Sequence, residues 1–257
     1  MSATDRFRLD GRSIVVTGAA GGIGRTTCRH LATLGARVVA ADRDESVRGV
    51  ADALSAEGLS ADWIAFDVAD PASVNAARDE ILSRHGAVDG LFANAGMAYE
   101  RPGAEHTDED WRRVMGVNLD GVFWTIRAFA AGMLERGRGA VVATSSIAGV
   151  KAVRPELHVG YDVSKAGVAH MARVLGVEWA RRGVRVNAIG PGYTDTVMLA
   201  EVGISQPDVM ARWMDDQPIG RLVSPDEIAA TVGFLLSDAS SGITAQLLMV
   251  DGGYSAA

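Results

Sequence analysis

The 257-residue sequence is poor in cysteine and has no long apolar run. Cys28 is the single cysteine, so an intrachain disulfide is excluded and a reducing compartment, the cytoplasm, is expected. Its position inside a predicted helix favours a buried structural thiol over a nucleophile. Without a run of about 18 apolar residues or the apolar core of a signal peptide, no membrane association is predicted. No His/Cys cluster has metal-ligand spacing, so no metal site is predicted.

A surplus of positive charge is also absent. The formal net charge is -7 and the pI is near 5.2, which argues against nucleic acid as a partner because phosphate binding requires a basic face. The hydrophobic fraction of 48% and the charged fraction of 22% are typical of a globular protein with a sizeable core. The length suits one large α/β domain, so residues 1–257 are predicted to form a single domain.

Lysine is almost absent. Of the 25 basic residues, 23 are arginines, and the two lysines are Lys151 and Lys165. Lys165 follows Tyr161 by one helical turn, so both side chains leave the same face of a helix. A nearby ammonium favours a phenolate and lowers the tyrosine pKa from about 10. A compact ammonium also fits between a ribose hydroxyl and a phenol better than a planar arginine fork does. The pair therefore predicts a tyrosine that works as an acid or a base.

Residues 14–42 have the pattern of a buried strand, a glycine-rich loop, a helix and a second strand. Glycines allow the loop to approach a pyrophosphate, and the start of the helix attracts its charge. Asp42, at the tip of the second strand, can bind ribose hydroxyls and would repel a 2′-phosphate. This favours NAD over NADP, although Arg43 would soften the preference. The predicted cofactor contacts in this stretch are Asp42, Arg43, Gly18, Gly21, Gly22, Ile23 and Gly24.

Two more strand ends carry candidate cofactor contacts. Asp67 and Val68 follow the third predicted strand, where a carboxylate could hold an adenine amino group. Asp67 could instead cap the next helix, although Asp70 before a proline fits that role better. Asn94-Ala95-Gly96 follows the fourth strand, where small residues leave room for a cofactor and the Asn amide could tie neighbouring strands together.

Strands and helices alternate along the rest of the chain. This order predicts an α/β fold of the doubly wound (Rossmann) type, a single parallel sheet of seven strands with helices on both faces. Thr107 and Asp110 predict a capping box that opens a long helix to about residue 132. The apolar positions of that helix exceed a single stripe and predict contact with another subunit. Residues 194–221 are polar and irregular and are predicted to form a substrate loop or lid.

A series of motifs occurs in a fixed order along nearly the whole chain: Thr17-Gly18-x-x-x-Gly22-x-Gly24, Asn94-Ala95-Gly96, Asn118, Ser146, Tyr161-x-x-x-Lys165 and Pro191-Gly192. This set resembles the short-chain dehydrogenase/reductase family of the compact type. The glycine spacing, which departs from the commoner G-x-G-x-x-G, is that family's own.

The resemblance implies a role for each catalytic candidate. Tyr161 would be the general acid/base that exchanges a proton with the substrate oxygen, and Ser146 would hydrogen-bond that oxygen. Ser145 competes for the serine role, but the family's catalytic serine precedes x-x-Gly, and Gly149 gives that spacing to Ser146. Lys165 would bind the nicotinamide ribose beside Tyr161 and tune the phenol.

Two further groups of residues receive roles from the resemblance. Asn118 would hold a water that passes protons out from Lys165, which would explain an Asn in the middle of a helix. Pro191, Gly192 and the segment from Thr194 to Thr196 would fix the carboxamide of the nicotinamide. That contact would present one face of the ring for hydride transfer.

The loop before Tyr161 bears on the substrate. Its 15-residue spacing from Ser146 exceeds that in many relatives and looks similar to the loop of bacterial polyol and sugar-alcohol dehydrogenases. Polar side chains at Arg154, Glu156 and His158 would suit a hydroxylated substrate. They are equally compatible with ordinary solvated loop residues.

The expected activity is NAD-dependent interconversion of a secondary alcohol, such as a polyol or sugar, and its ketone. One alternative is an NADPH-dependent 3-ketoacyl-type reductase, which Asp42 disfavours. Another is a non-catalytic NAD-binding regulator, which has no need of the proton donor Tyr161. The family is commonly a homotetramer in which the helices carrying Asn118 and Tyr161 meet between subunits, so a homotetramer is expected.

Overall fold

A seven-stranded, all-parallel sheet organises the chain in the computed structural model, which describes residues 4–196, 199, 205 and 207–257. The strand order is β3-β2-β1-β4-β5-β6-β7. The strands are β1 Ser13–Thr17, β2 Arg37–Asp42, β3 Ala61–Ala65, β4 Gly90–Ala93, β5 Gly139–Thr144, β6 Val184–Pro191 and β7 Leu247–Val250. The order reverses between β1 and β4, which places a crevice at the carboxyl ends of these two strands.

Helices cover both faces of this sheet, which confirms the predicted doubly wound fold. The helices α3, α5 and α6 pack on one face, and α1, α2 and α8 pack on the other. Two further helices, α4 and α7, lie outside these two layers. The helices are α1 Gly22–Thr33, α2 Val47–Ala56, α3 Pro71–His85, α4 Asp108–Met115, α5 Gly121–Arg136, α6 Val159–Trp179, α7 Pro207–Asp216 and α8 Pro225–Leu236.

Successive side chains of a strand point to opposite faces of the sheet, so the hydrophobic core is divided into two layers. Val15 of β1 belongs to the cluster under α3, α5 and α6, whereas Ile14 and Val16 belong to the cluster under α1, α2 and α8. All three side chains are at most 1% exposed. Burial on both faces explains why the strands read as continuous apolar runs rather than as alternating ones.

Two helices begin with the side-chain caps that the sequence predicted. Asp70 accepts a hydrogen bond from the Ala72 N–H and caps α3, which leaves Asp67 out of that role. Thr107 and Asp110 form the predicted capping box at the start of α4. No helix within the described ranges is both long and apolar enough to cross a membrane.

Two segments differ from their predicted form. The single helix predicted over 107–132 is interrupted by a π-helical turn at Gly116–Asp120 and continues to Arg136. The segment 194–221, predicted as irregular, contains α7. In α7, Val209, Met210 and Trp213 recur at helical spacing and pack against one cluster, so an amphipathic helix forms there. Residues 197, 198, 200–204 and 206 of the predicted lid lie outside the described residues.

Candidate active site

The glycine loop between β1 and α1 is shaped by two close backbone approaches. Gly18 has a φ of +68°, and a Cβ there would lie 2.9 Å from the Ala95 Cα. A Cβ on Gly24 would collide with the Gly18 carbonyl oxygen. A Cβ on Gly21, by contrast, would meet nothing within 4 Å. Two of these glycines therefore close the turn, while the open side at Gly21 leaves space for a ligand.

Hydrogen bonds from Asn94 join three neighbouring strands, as the sequence predicted. Its Nδ2 donates to the Thr17 carbonyl of β1 at 3.1 Å, and its Oδ1 accepts from the Thr144 hydroxyl of β5 at 3.1 Å. The Thr17 hydroxyl in turn accepts from the N–H groups of Asn94 and Ala95. This network fixes the carboxyl ends of β1, β4 and β5 relative to one another.

A cavity of about 410 Å³ opens at these strand ends, beside the glycine loop. Its walls contain eight of the predicted cofactor contacts, namely Gly18, Gly21, Asp42, Arg43, Asp67, Val68, Ala95 and Gly96. Sequence reasoning missed other wall residues, among them Thr17, Ala20, Ser46, Phe66, Met97 and Val117. Most of these give no recognisable signal because they are ordinary small or apolar residues that only the fold brings to the crevice.

The Asp42 carboxylate stands at the mouth of the glycine loop. One oxygen accepts from the Ala20 N–H at 3.1 Å, and the other accepts from the Asp44 N–H at 3.2 Å. These bonds hold a negative charge at the cavity wall. Asp67 has one oxygen engaged by the Ala69 N–H at 2.8 Å and also lines the cavity.

Ser146, Tyr161 and Lys165 are brought together where β5 ends against α6. The Ser146 hydroxyl lies close enough to the phenol to lower its pKa, and Lys165 Nζ lies 5.5 Å from the centre of the Tyr161 ring. Burial raises the pKa of Tyr161, Ser146 opposes that rise, and the charge of Asp162 adds to it. The rise is opposite in direction to the lowering expected from the ammonium, because burial dominates here.

Lys165 is buried, and within the described part of the chain its ammonium has one hydrogen-bond partner. Its Nζ donates to the Thr144 carbonyl at 2.8 Å, and burial lowers the pKa of Lys165 to about 8. Gly96 faces the same group, since a Cβ there would lie 3.3 Å from both Lys165 Nζ and Asn118 Oδ1. The absence of a side chain at Gly96 keeps the space in front of the ammonium open.

The two adjacent serines have different partners. Ser145 donates to the Lys165 carbonyl at 2.8 Å and is buried. A Cβ on Gly149 would lie 2.7 Å from the Ser145 hydroxyl, so this packing requires the glycine. Ser145 thus ties β5 to α6, whereas Ser146 is the serine next to the phenol.

Asn118 is fully buried and holds the backbone at Met97. Its Oδ1 accepts from the Met97 N–H at 2.8 Å, and its Nδ2 donates to the Met97 carbonyl at 2.8 Å and to the Ser164 hydroxyl at 3.2 Å. This bidentate contact accounts for an Asn within the π-helical turn. The contact was not predicted, because Met97 lies 21 residues away along the chain.

The residues predicted to meet the nicotinamide lie at the end of β6. Gly192 donates to the Val250 carbonyl at 3.0 Å, and the Thr194 hydroxyl donates to the Gly192 carbonyl at 2.9 Å. A Cβ on Gly22 would lie 3.1 Å from Thr196 Cγ2, so the start of the predicted lid reaches the glycine loop. Pro191 ends β6, and Ile23 lies in the first turn of α1.

Glu156 connects the loop before α6 to Tyr193 and Trp213. Its Oε1 accepts from Trp213 Nε1 at 2.6 Å and from the Tyr193 hydroxyl at 3.2 Å. The Tyr193 and Trp213 rings stack with their centres 4.6 Å apart. The loop before α6 is therefore fastened to α7, and Glu156 is engaged by the protein rather than solvated.

Comparison with known proteins agrees with this geometry. The family model described as enoyl-(acyl carrier protein) reductase matches residues 18–255. The galactitol 2-dehydrogenase (L-tagatose-forming) of Cereibacter sphaeroides is 42% identical, with 96% of each chain covered. The D-threitol dehydrogenase of Mycolicibacterium smegmatis is 41% identical, with 96% of this chain and 94% of that one covered.

The chain belongs to the short-chain dehydrogenase/reductase family. It is an oxidoreductase of that family. A crystal structure of a gluconate 5-dehydrogenase from Burkholderia cenocepacia in complex with NADP and tartrate superposes with a TM-score of 0.94 at 36% identity, and 100% of both chains is covered. The resemblance expected from the motifs is thus confirmed.

The lowered pKa of Lys165 predicts how the stability of this family member changes with pH. Between pH 8 and 10.5 the unfolded chain binds a proton at this lysine that the folded chain does not, so the free energy of unfolding rises with pH in that window. Lys165→Met should remove a rise of roughly 3 kcal/mol. Chemical denaturation of both proteins on either side of this window measures the difference.

The exposed lysine supplies the control for this measurement. Lys151→Met should leave the pH dependence of the unfolding free energy as it is in the unsubstituted protein, because Lys151 is exposed. Equal pH dependence in the unsubstituted protein and Lys165→Met would contradict the prediction.

Proposed function

We propose that this oxidoreductase interconverts a secondary alcohol, such as a polyol or sugar alcohol, and its ketone with NAD as the hydride carrier. The observation that carries the proposal is a cluster of three side chains, half-buried Tyr161 with buried Ser146 and Lys165, next to a cavity whose wall contains Asp42. We further propose that residues 1–257 work as one catalytic domain with a substrate loop at 194–221. A reducing cytoplasm suits its single buried thiol, Cys28.

The cavity fits a dinucleotide on structural grounds. Side chains at Gly18 or Gly96 would fill space beside it, and the open face at Gly21 leads to the start of α1, where N–H groups attract phosphate. Asp42 would hold the adenosine ribose, and Asp67 and Val68 would flank the adenine. A bound nicotinamide supplies the carbon that accepts or donates the hydride.

The protein residues then have proton and positioning roles. During alcohol oxidation Tyr161 removes the hydroxyl proton, and during ketone reduction it returns that proton to the oxygen. Ser146 donates a hydrogen bond to the same oxygen and stabilises developing negative charge. Lys165 orients the nicotinamide ribose and opposes negative charge on the phenol. Asn118 fixes the Met97 backbone beside the ammonium, and we propose that it also supports a water relay from Lys165.

The relatives favour a polyol substrate over an acyl substrate. Galactitol and threitol, named for two relatives, carry several hydroxyls, and tartrate occupies a gluconate 5-dehydrogenase of the same fold. The 3-ketoacyl-type alternative usually pairs with NADPH, which Asp42 opposes. A purely regulatory protein would not need Ser146 beside Tyr161.

Removal of the phenol provides the first test. Tyr161→Phe should lower turnover of secondary alcohols and polyols with NAD by about 10³-fold or more, as followed by nicotinamide absorbance. Ser146→Ala should lower kcat by roughly 10²-fold. Ser145→Ala is the matched control and should change stability more than kcat, since its hydroxyl bonds the Lys165 carbonyl. Full activity in Tyr161→Phe would overturn the proposal.

Cofactor choice is tested at the tip of β2. Asp42→Ala should raise the KM for NAD and improve kcat/KM with NADP by about tenfold, because a like charge next to the 2′-phosphate is removed. Arg43→Ala is the matched variant and should weaken NADP use if this guanidinium pairs with that phosphate. A preference for NADP in the unsubstituted enzyme would contradict the assignment to Asp42 and revive the reductase alternative.

We propose a homotetramer in which α5 and α6 meet their counterparts in neighbouring subunits. Large apolar side chains remain exposed on these helices, with Phe123 at 38%, Val174 at 49% and Val177 at 70% exposure. A monomer rarely leaves such a face in water.

Sedimentation tests the tetramer directly. The unsubstituted protein should sediment as a tetramer at micromolar concentration, and a Val174→Glu/Val177→Glu variant should form smaller species because two charges would be buried at the interface. Phe7→Ser is the control, since Phe7 is exposed away from both helices. A stable monomer for the unsubstituted protein would refute the assignment.

A further inference from the structure

A carboxylate on the loop before α6 is hydrogen-bonded to two aromatic side chains from later in the chain. Glu156 Oε1 accepts from Trp213 Nε1 at 2.6 Å. The Tyr193 hydroxyl donates to the same carboxylate and lies 3.2 Å from one oxygen and 3.4 Å from the other. Trp213 belongs to α7, and Tyr193 follows β6. Three segments that are far apart in the sequence therefore meet at one half-buried side chain.

Burial makes this carboxylate important to both aromatic side chains. Trp213 is 6% exposed and Tyr193 is 8% exposed, and their rings stack with the centres 4.6 Å apart. An indole N–H or a phenol O–H that is buried to this extent needs a hydrogen-bond partner. Glu156 accepts from both groups, so the loss of its carboxylate would take an acceptor away from two buried donors.

The aromatic pair belongs to a cluster that reaches the proposed catalytic residues. Trp213 packs in this cluster with Ile147 and Ala148. These two residues directly follow Ser146, whose hydroxyl accepts from the Ala148 N–H at 3.1 Å. Tyr161 packs against the same cluster. The position of α7 is therefore linked by side-chain packing to the surroundings of both the serine and the phenol.

The loop before α6 has a second anchor that does not involve α7. Lys151 Nζ donates to the carbonyl of Tyr254 at 3.3 Å and to that of Ala257 at 2.9 Å. The same ammonium lies 4.9 Å from the centre of the Tyr254 ring. Because Lys151 ties the loop to the C-terminal residues, the loss of the Glu156 carboxylate should release α7 rather than the loop.

We propose that Glu156 is a positioning residue that fastens α7 in place and thereby sets the KM for the alcohol substrate. The inference rests on the proposed function, because α7 lies in the segment proposed as the substrate loop. When only a fraction of the protein holds α7 in the fastened position, the apparent affinity for the substrate falls by that fraction. Cofactor binding should change less, because other residues form the walls of the cavity beside the glycine loop.

The proposal predicts that KM and kcat respond differently. Glu156→Ala should raise the KM for secondary alcohols and polyols by about tenfold, because a hydrogen bond to a charged acceptor is lost, and should change kcat by less than about twofold. Glu156→Gln keeps an oxygen that accepts from the indole N–H, so its KM should stay within about twofold of the unsubstituted value. A purely structural loss would lower the amount of active enzyme, and with it kcat, and would leave KM unchanged.

Trypsin cleavage measures the fastening of α7 independently of activity. Arg212 is the trypsin site within α7, and its side chain is 53% exposed. Cleavage of a helix requires local opening, so Glu156→Ala should speed the cut after Arg212 by about tenfold in the folded protein. Mass spectrometry of the fragments identifies this cut.

Another glutamate–tryptophan hydrogen bond supplies the matched control. Glu178 Oε1 accepts from Trp179 Nε1 at 3.0 Å on α6, and Trp179 belongs to a different core cluster from Trp213. Glu178→Ala should therefore leave both the KM and the cleavage rate at Arg212 unchanged.

A double-variant cycle tests whether the effect of Glu156 runs through Trp213. Trp213→Phe removes the indole donor and keeps an aromatic ring, so it should raise the KM by itself. Glu156→Ala should then add less in the Trp213→Phe background than in the unsubstituted protein. If Glu156→Ala does not fold, the KM and the cleavage rate of Trp213→Phe decide.

The outcomes separate this proposal from the proposed function. Activity retained in Tyr161→Phe would refute the proposed function, and the cleavage rates would still decide whether Glu156 fastens α7. With turnover that depends on Tyr161, an unchanged KM or an unchanged cleavage rate in Glu156→Ala would overturn the positioning role. So would a Glu156→Gln variant that behaves like Glu156→Ala. A higher KM and faster cleavage in Glu156→Ala, both restored in Glu156→Gln, would support it.

Discussion

The burial of the Lys165 ammonium is the constraint on which the rest of the site depends. Burial without a partner would force the lysine to lose its proton, and the Thr144 carbonyl is the partner that the end of β5 supplies. That contact requires α6 to lie close against β5. The close approach in turn requires Gly149 and the hydrogen bond from Ser145 to the Lys165 carbonyl. The residue types at Gly149 and Ser145 are therefore required by the burial of one charged group, the Lys165 ammonium.

The same burial explains the charge balance of the site. In the folded chain the pKa of Tyr161 is raised and that of Lys165 is lowered, so burial makes the charged form of each group less stable than it is in water. A phenolate then depends on the charges placed around it: the lysine and the Ser146 hydroxyl favour it, and Asp162 opposes it. A cluster of largely buried ionisable groups is sensitive to single charges at distances that would be screened in water.

The loop position of Glu156 suggests a solvated side chain, but its carboxylate is hydrogen-bonded to other parts of the protein. Among the described residues its hydrogen-bond partners are two aromatic side chains, Tyr193 and Trp213, and the three side chains join the loop before α6 to α7. The carboxylate therefore fixes these two segments relative to each other. Of the other polar side chains on this loop, Arg154 remains exposed.

The sequence by itself determined the strand and helix order, the caps at Asp70 and Thr107, and the identity of the chemical groups, because these follow from local periodicity, turn chemistry and motif spacing. Only the tertiary structure decided which distant residues meet. The contacts of Asn118 with Met97 and of Glu156 with Trp213 join positions far apart in the chain, and no local pattern encodes them. The direction of the Tyr161 pKa shift was also decided there, since desolvation depends on what the whole fold packs around a side chain.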